Sequence, residues 1–271
     1  MRERILVRGG GDIATATIYH LHRCGFQVLV LECARPSAIR RRVAFCEAVY
    51  DGMTEVEGVI CRKVETPEGC EGAWQTGEIP LLVDEKADSV EVLKPKVLVD
   101  GILAKRNLGS RMDMAPLTIG LGPGFTAGVD VHAVIETMRG HDLGRIITQG
   151  QALPNTGVPG LIEGRGQERV IHAPADGIIR NLAEISDLVE KGQVIAYIGD
   201  VPVKAGLAGV LRGIIRDGFA VKKELKIADI DPRGSERKNC VTISDKARCI
   251  AGSVGEVIFH DLSGSCGDQF S

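Results

Sequence analysis

Aromatic residues are scarce in this 271-residue chain, at 4%, with one Trp, three Tyr and six Phe. So few stacking platforms argue against single-stranded nucleic acid as a partner. A basic excess is missing too. Lys and Arg number 33 against 36 Asp and Glu, a net charge of −3, where a nucleic-acid binder carries a positive surplus. No window approaches the roughly 18 apolar residues of a membrane span, and the charged opening MRERILVRGGGD has too short an apolar run for a signal peptide. The eight cysteines, at 24, 33, 46, 61, 70, 240, 249 and 266, include no CxxC pair, so no metal site is expected. They read as reduced thiols of a cytoplasmic protein. No Ser–His–acid ordering, paired-carboxylate motif or HExxH is present to indicate a reaction.

Glycine is abundant, at 34 residues, well above the usual fraction of about 7%. The central stretch 104–145 concentrates it. Lys105, Arg106 and Arg111 surround Asn107 and Gly109, and Leu117–Ile119 reads as a short buried strand. GLGPGFTAG follows, with Gly120, Gly122 and Gly124 at its start, and apolar spacing from Val129 to Met138 predicts a helix that Gly140 ends. Strand, glycine loop and helix N-terminus would offer unpaired N–H groups to an anion beside three cations. The same residues also suit a tight strand-to-helix turn with a solvated basic loop. His132 and His141 flank the expected helix, as acid–base groups or as hydrogen-bonded structural ones.

At the N-terminus, strand Ile5–Val7 leads into Gly9, Gly10 and Gly11 and then Ala14, a G-x-G-x-x-A turn. A helix through Cys24 and a strand Val28–Leu31 ending at Glu32 follow. That order is the dinucleotide-binding pattern, with the acid placed for a ribose hydroxyl. Asp12 inside the turn would repel a pyrophosphate unless it caps the helix, so a Rossmann-like unit without the ligand is the competing reading. Ile79–Val83 and Val97–Asp100 read as further strands, with a short helix Asp88–Leu93 between them. Asp100 then stands at a strand's carboxyl end, where ligands of open α/β sheets collect. Gly9–Gly11, Asp100, Lys105–Asn107 and Gly120–Gly124 would then share one crevice.

Residues 172–198 align with 204–230 at an offset of 32, matching Gly177 with Gly209, Arg180 with Arg212 and Ile198 with Ile230. Two such halves look like a barrel-sandwich hybrid of the biotinyl and lipoyl carrier type. The link Gly199–Val203 has no lysine at a tip, so covalent biotin or lipoate is not expected, and the module reads as a docking or lid element. Cys240–Ile243 reads as a strand, Ser244 to Phe259 as a helix returning to the first domain, and His260–Ser271, with Cys266, as a loose tail.

Taken together, RGGGDIATA, FCEAVYDG, the segment from AKRNLGSR to DVHAVIET, RGHDLGR, NTGVPG, GVLRGIIRDG, KIADIDPR and ISDKA resemble the YqeB-type accessory family of selenium-dependent molybdenum hydroxylases, related in role to the XdhC chaperones. The resemblance implies a cytoplasmic maturation factor with the hydroxylase as its partner. The expected fold is α/β: a Rossmann-like parallel-sheet domain over 1–168, a barrel-sandwich hybrid over 169–233, and a return segment and tail over 234–271. The expected ligand is a phosphate-bearing small molecule, either the molybdenum cofactor or a nucleotide, neutralised by Lys105, Arg106 and Arg111 between the two glycine loops. Two competitors stand beside this reading. One is an NAD(P)-dependent oxidoreductase using Glu32. The other is a scaffold that docks the hydroxylase, with self-association left open.

Overall fold

The computed structural model describes residues 3–157, 160 and 162–264. Cys266 with the rest of 265–271, and Val158–Pro159 of the NTGVPG motif, lie outside the described residues. The chain divides into two compact units. One comprises Met1–Pro36, Ala44–Asn155 and Ile243–Ser271, and the other Ser37–Val43 and Thr156–Thr242.

In the first unit, β1 (Arg4–Arg8), β2 (Gln27–Glu32), β3 (Met53–Val56), β4 (Val59–Val64), β5 (Ile79–Val83), β6 (Val97–Asp100), β7 (Leu117–Leu121), β9 (Ala133–Ile135) and β10 (Ile146–Ile147) form one nine-stranded sheet. Its order is β10-β9-β7-β6-β1-β2-β5-β4-β3. The seven strands from β9 to β4 run parallel. Both edges turn back, with β3 antiparallel on β4 and β10 antiparallel on β9. β8 (Thr126–Ala127) and β11 (Gly150–Gln151) make a separate two-stranded ribbon.

The apolar runs of β1 and β2 follow from burial on both faces. Leu6, Leu29, Leu31 and Leu98 pack with Cys70, Val90 and Ala115 on one side, while Ile5, Val7, Val28 and Val30 alternate to the other and are equally buried. α1 (Asp12–Arg23) and α5 (Asp245–Leu262) pack against each other. Gly255 makes the crossing close, since a Cβ there would stand 2.8 Å from the His20 ring. The other helices are short: α2 (Ala48–Asp51), α3 (Cys70–Gln75) and α4 (Val90–Leu93).

The second unit carries two four-stranded antiparallel sheets. One is β12-β19-β17-β14, from β12 (Val170–His172), β14 (Leu188–Val189), β17 (Gly209–Ile214) and β19 (Lys226–Asp231). The other is β16-β15-β13-β18, from β13 (Gly177–Asn181), β15 (Val194–Ile198), β16 (Val201–Lys204) and β18 (Ala220–Val221). The offset of 32 is written into this order: β13, β14 and β15 correspond to β17, β18 and β19, and each sheet lists its corresponding strands in the same sequence. The repeated apolar positions fill one core, including Ile179, Ile195, Ile198, Leu211, Ile227 and Ile230.

Several expectations are corrected. The Rossmann-like parallel domain with a barrel-sandwich hybrid is replaced by a mixed nine-stranded sheet, a two-stranded ribbon and two antiparallel four-stranded sheets. Residues Val129–Met138 form no helix. Their apolar positions belong to β9, buried beside β7, because a three-residue buried strand and one helical turn share the same apolar density. Cys240–Ile243 is not a strand, since a 3₁₀ turn over Arg237–Cys240 precedes α5. His260 to Leu262 is not tail but the last turn of α5. No helix among the described residues is long and apolar enough to cross a membrane.

Candidate functional site

Four parallel strands end around one cavity of about 460 Å³, lined by residues that include Arg8, Glu32, Cys33, Glu85, Lys86 and Ile102. It lies at the carboxyl ends of β1, β2, β5 and β6, where the physics of open sheets concentrates ligands. The floor is polar and buried. Arg8, 2% exposed, closes β1 beside Asp100, its register partner at the end of β6. Its guanidinium donates to Ser110 Oγ at 2.6 Å, Asp100 Oδ2 at 3.4 Å, and the Glu85 and Leu108 carbonyls at 3.0 and 3.2 Å. Ser110 Oγ donates to the same Asp100 oxygen at 2.6 Å, and Ile102 N–H donates to the other. Burial pushes the Asp100 carboxyl above its ordinary range, against the pull of Ser110 and Arg8. Arg8 is therefore spent inside the protein, tying the loop 108–110 to the sheet.

The first glycine turn is spent in the same way. Glu32 accepts from Gly10 N–H at 2.8 Å and from Cys33 N–H at 2.8 Å. Gly10 also packs on the chain at Cys46, where a Cβ would come within 2.8 Å of the Cys46 nitrogen. The backbone donor that a pyrophosphate would use already faces a carboxylate. Gly9, at φ +89°, lies equally close to Ile102, and no side-chain hydrogen bond caps α1 at Gly11.

Around the rim the field is negative. Glu32, Asp84 and Glu85 line the cavity against Lys86, Arg8 being paired. Burial pushes the Asp84 carboxyl up, yet hydrogen bonds from Ser89, Asp88 and Ala87 outweigh it and hold it below the usual carboxylate range. Burial, followed by Glu32, pushes the Cys33 thiol to about 11. Cys46 is raised well above its ordinary value by burial first and the neighbouring carboxylates next. Neither sulfur is a thiolate near neutrality, so neither supplies a nucleophile.

The second glycine loop lies apart from this cavity, beyond β6 at the end of β7, with Gly120 in register beside Asp100. Its glycines answer to their own surroundings. A Cβ on Gly120 would meet the Phe125 ring at 2.5 Å, one on Gly122 the Thr137 Oγ1 at 2.5 Å, and one on Gly124 the Arg106 backbone at 2.6 Å. Asn107 is a loop staple, accepting from Gly109 and Ser110 N–H and donating to the Ser110 carbonyl. Arg111 pairs with Asp113 at 2.9 Å. Lys105, at φ +62°, and Arg106 are exposed. Gly9 and Glu32 line the cavity, whereas Lys105, Arg106, Arg111, Gly120, Gly122 and Gly124 do not; Gly124 lies instead against the Arg106 backbone. His132 is held by Thr118, whose N–H and Oγ1 lie 3.0 and 2.8 Å from Nδ1, and burial lowers its pKa. Asp84, Glu85 and Lys86 were missed in the sequence, where the only available signal was their place after the β5 run.

Among the described residues, no group of three or more His, Cys, Asp or Glu side chains could hold a metal ion.

No family model matches the chain. It is 50% identical over 254 residues to the "Uncharacterized protein YqeB" of Escherichia coli (strain K12), covering 94% of this chain and 47% of that protein. The chain thus spans about half the length of the curated relative it matches. Among solved structures, it aligns with a succinylglutamate desuccinylase from Silicibacter at 12% identity, 84% coverage of each chain and a TM-score of 0.25. It aligns with the ectoine utilization protein EutE of Ruegeria pomeroyi at 10%, covering 84% of this chain and 85% of that one, with a TM-score of 0.26. An aspartoacylase family protein from Mesorhizobium loti aligns at 12%, over 86% and 85% of the two chains, with a TM-score of 0.26. Such scores carry no argument for a desuccinylase-type reaction here. The expected maturation role and the oxidoreductase alternative are not carried forward, since the relative that matches at 50% identity is itself named as uncharacterized.

Proposed function

We propose that the strand-end cavity binds a neutral or cationic small molecule that presents hydroxyl or amino donors, and that the chain acts as a small-molecule-binding module. The observation that carries this reading is the charge of the lining, with Glu32, Asp84 and Glu85 set against Lys86 and an Arg8 already paired with Asp100. Each Glu32 oxygen receives one backbone N–H, which leaves further lone pairs able to accept from a ligand hydroxyl. Leu31, Ile102 and Leu108 supply apolar walls, the usual mixture of a small-molecule site. The free thiols of the described cysteines support a cytoplasmic setting. The identity shared with YqeB over 254 residues supports reading the chain as the counterpart of about half of a YqeB-type protein.

Calorimetric titration with adenosine and with AMP at one salt concentration tests the reading. The two probes share a ring and a diol and differ by a phosphate. Adenosine is expected to bind at least tenfold more tightly, about 1.4 kcal/mol, and Glu85→Gln is expected to narrow the gap by relieving repulsion of AMP. AMP binding as tightly as adenosine, or no binding of either, overturns it.

A further inference from the structure

The two halves of the repeated β module differ in what covers them. On β17 of the second half, the chain covers itself. Ile39 lies against Gly213, where a Cβ would stand 2.8 Å from the Ile39 carbonyl oxygen, and Arg41 Nε donates to the Ile214 carbonyl at 2.9 Å. Arg40 ties this segment to the Asn239 and Thr242 carbonyls. The strand is irregular there, its register on β19 shifting between Leu211 and Gly213. On this strand Val210 and Ile214 are fully buried.

Their counterparts at the offset of 32, Ile178 and Leu182 of the first half, are 57% and 53% exposed. Between them Arg180 stacks over Tyr197, its register partner on β15, at 5.3 Å. The equivalent pair in the second half is Arg212 with Asp229, 3.7 Å apart. Where the covered half sets its arginine beside a carboxylate, which Arg169 also holds, the open half holds an exposed arginine on an aromatic ring, between two exposed aliphatic side chains.

We propose that this face, Ile178, Arg180 and Leu182 with Tyr197, docks an extended segment of a partner protein in which aliphatic residues alternate with an acidic one. The model for the mode of docking is the molecule's own segment 39–41 on the other half. The chemistry of the occupant follows from charge complementarity, the partner's carboxylate taking the role that Asp229 plays toward Arg212. At Asn181 the strand has a side chain where Gly213 has none. The occupant therefore rests on side chains and not on the backbone. A second copy of this chain meeting the same face about a two-fold axis would bring two Arg180 side chains together, which disfavours it.

The test uses the full chain and two fluorescent synthetic probes, a Leu-Glu-Leu-Glu-Leu peptide and its Leu-Lys-Leu-Lys-Leu counterpart, read by anisotropy. The acidic probe is expected to bind at least tenfold more tightly than the basic one. That preference should reverse in Arg180→Glu, and binding should fall at least tenfold in Leu182→Asp. Both positions are exposed, and an unchanged melting temperature checks the fold. Equal binding of the two probes, or binding indifferent to both substitutions, overturns the proposal. So does sedimentation showing a dimer of the unmodified chain that Leu182→Asp dissociates, which would assign the face to self-association.

Discussion

Arg8 is the residue on which the candidate site rests, and its four hydrogen bonds show why a cation at a strand end need not be a ligand group. Its partner Asp100 is buried with it, so each is tolerable only because the other is present. Replacing Arg8 with Met takes the counter-charge from buried Asp100 and the guanidinium donor from the Glu85 and Leu108 carbonyls, and the expected cost is about 3–5 kcal/mol in chemical denaturation. The double variant Arg8→Met/Asp100→Leu removes both charges and is expected to recover a substantial part of that loss. If the double variant is no more stable than the single one, the pair is not the organising contact. The ligand preference proposed for the cavity belongs to the same scale. Glu32 sits at the Gly10 amide where a nucleotide's phosphate would sit, and a carboxylate there turns an anion-binding turn into one that repels anions.

At the scale of elements, the glycine loops serve close packing. Gly124 is the clearest case, with φ +114° and room for no Cβ against the Arg106 backbone. Gly124→Ala is expected to lower stability by about 1–3 kcal/mol, read from the shift in a thermal melt, with a smaller effect for Gly11→Ala, where nothing lies within 4 Å of the added Cβ. Equal effects at both would show that φ strain and contact at Gly124 had been overestimated. The helix expected after this loop is absent because β9 takes its place beside β7. That loss matters, since it removes the helix N-terminus on which an anion site there depended.

At the scale of the whole molecule, each compact unit is assembled from separated pieces of chain: 37–43 belongs with 156–242, and α5 packs on α1 across more than 200 intervening residues. A fragment of residues 156–242 alone would lose the Ile39 contact on Gly213 and the Arg41 hydrogen bond to the Ile214 carbonyl. The fragment is expected to melt below the intact second unit, and a synthetic peptide of residues 37–43 added in trans should raise its melting temperature in a concentration-dependent way. A melting temperature unmoved by the peptide would mean that the covering segment contributes little.

The sequence by itself determined the local features of this protein. β1, α1 and β2 are legible because a both-face apolar run, a glycine turn and a 3.6-residue spacing are contiguous in the chain. The module's repeat is legible because Gly177 and Gly209, or Ile198 and Ile230, recur at one offset. The helix from Ser244 to Phe259 is legible as one contiguous segment, and α5 covers Asp245–Leu262. The tertiary structure decided what depends on residues distant in the chain. It put Cys46 on Gly10, Asp100 beside Arg8, and Ile39 on Gly213, and it set Asp84, Glu85 and Lys86 opposite Glu32. Burial and the field of a site are sums over such neighbours. A glycine motif therefore reads the same whether its amides await a phosphate or already face a carboxylate, and only the packing of the folded chain distinguishes the two.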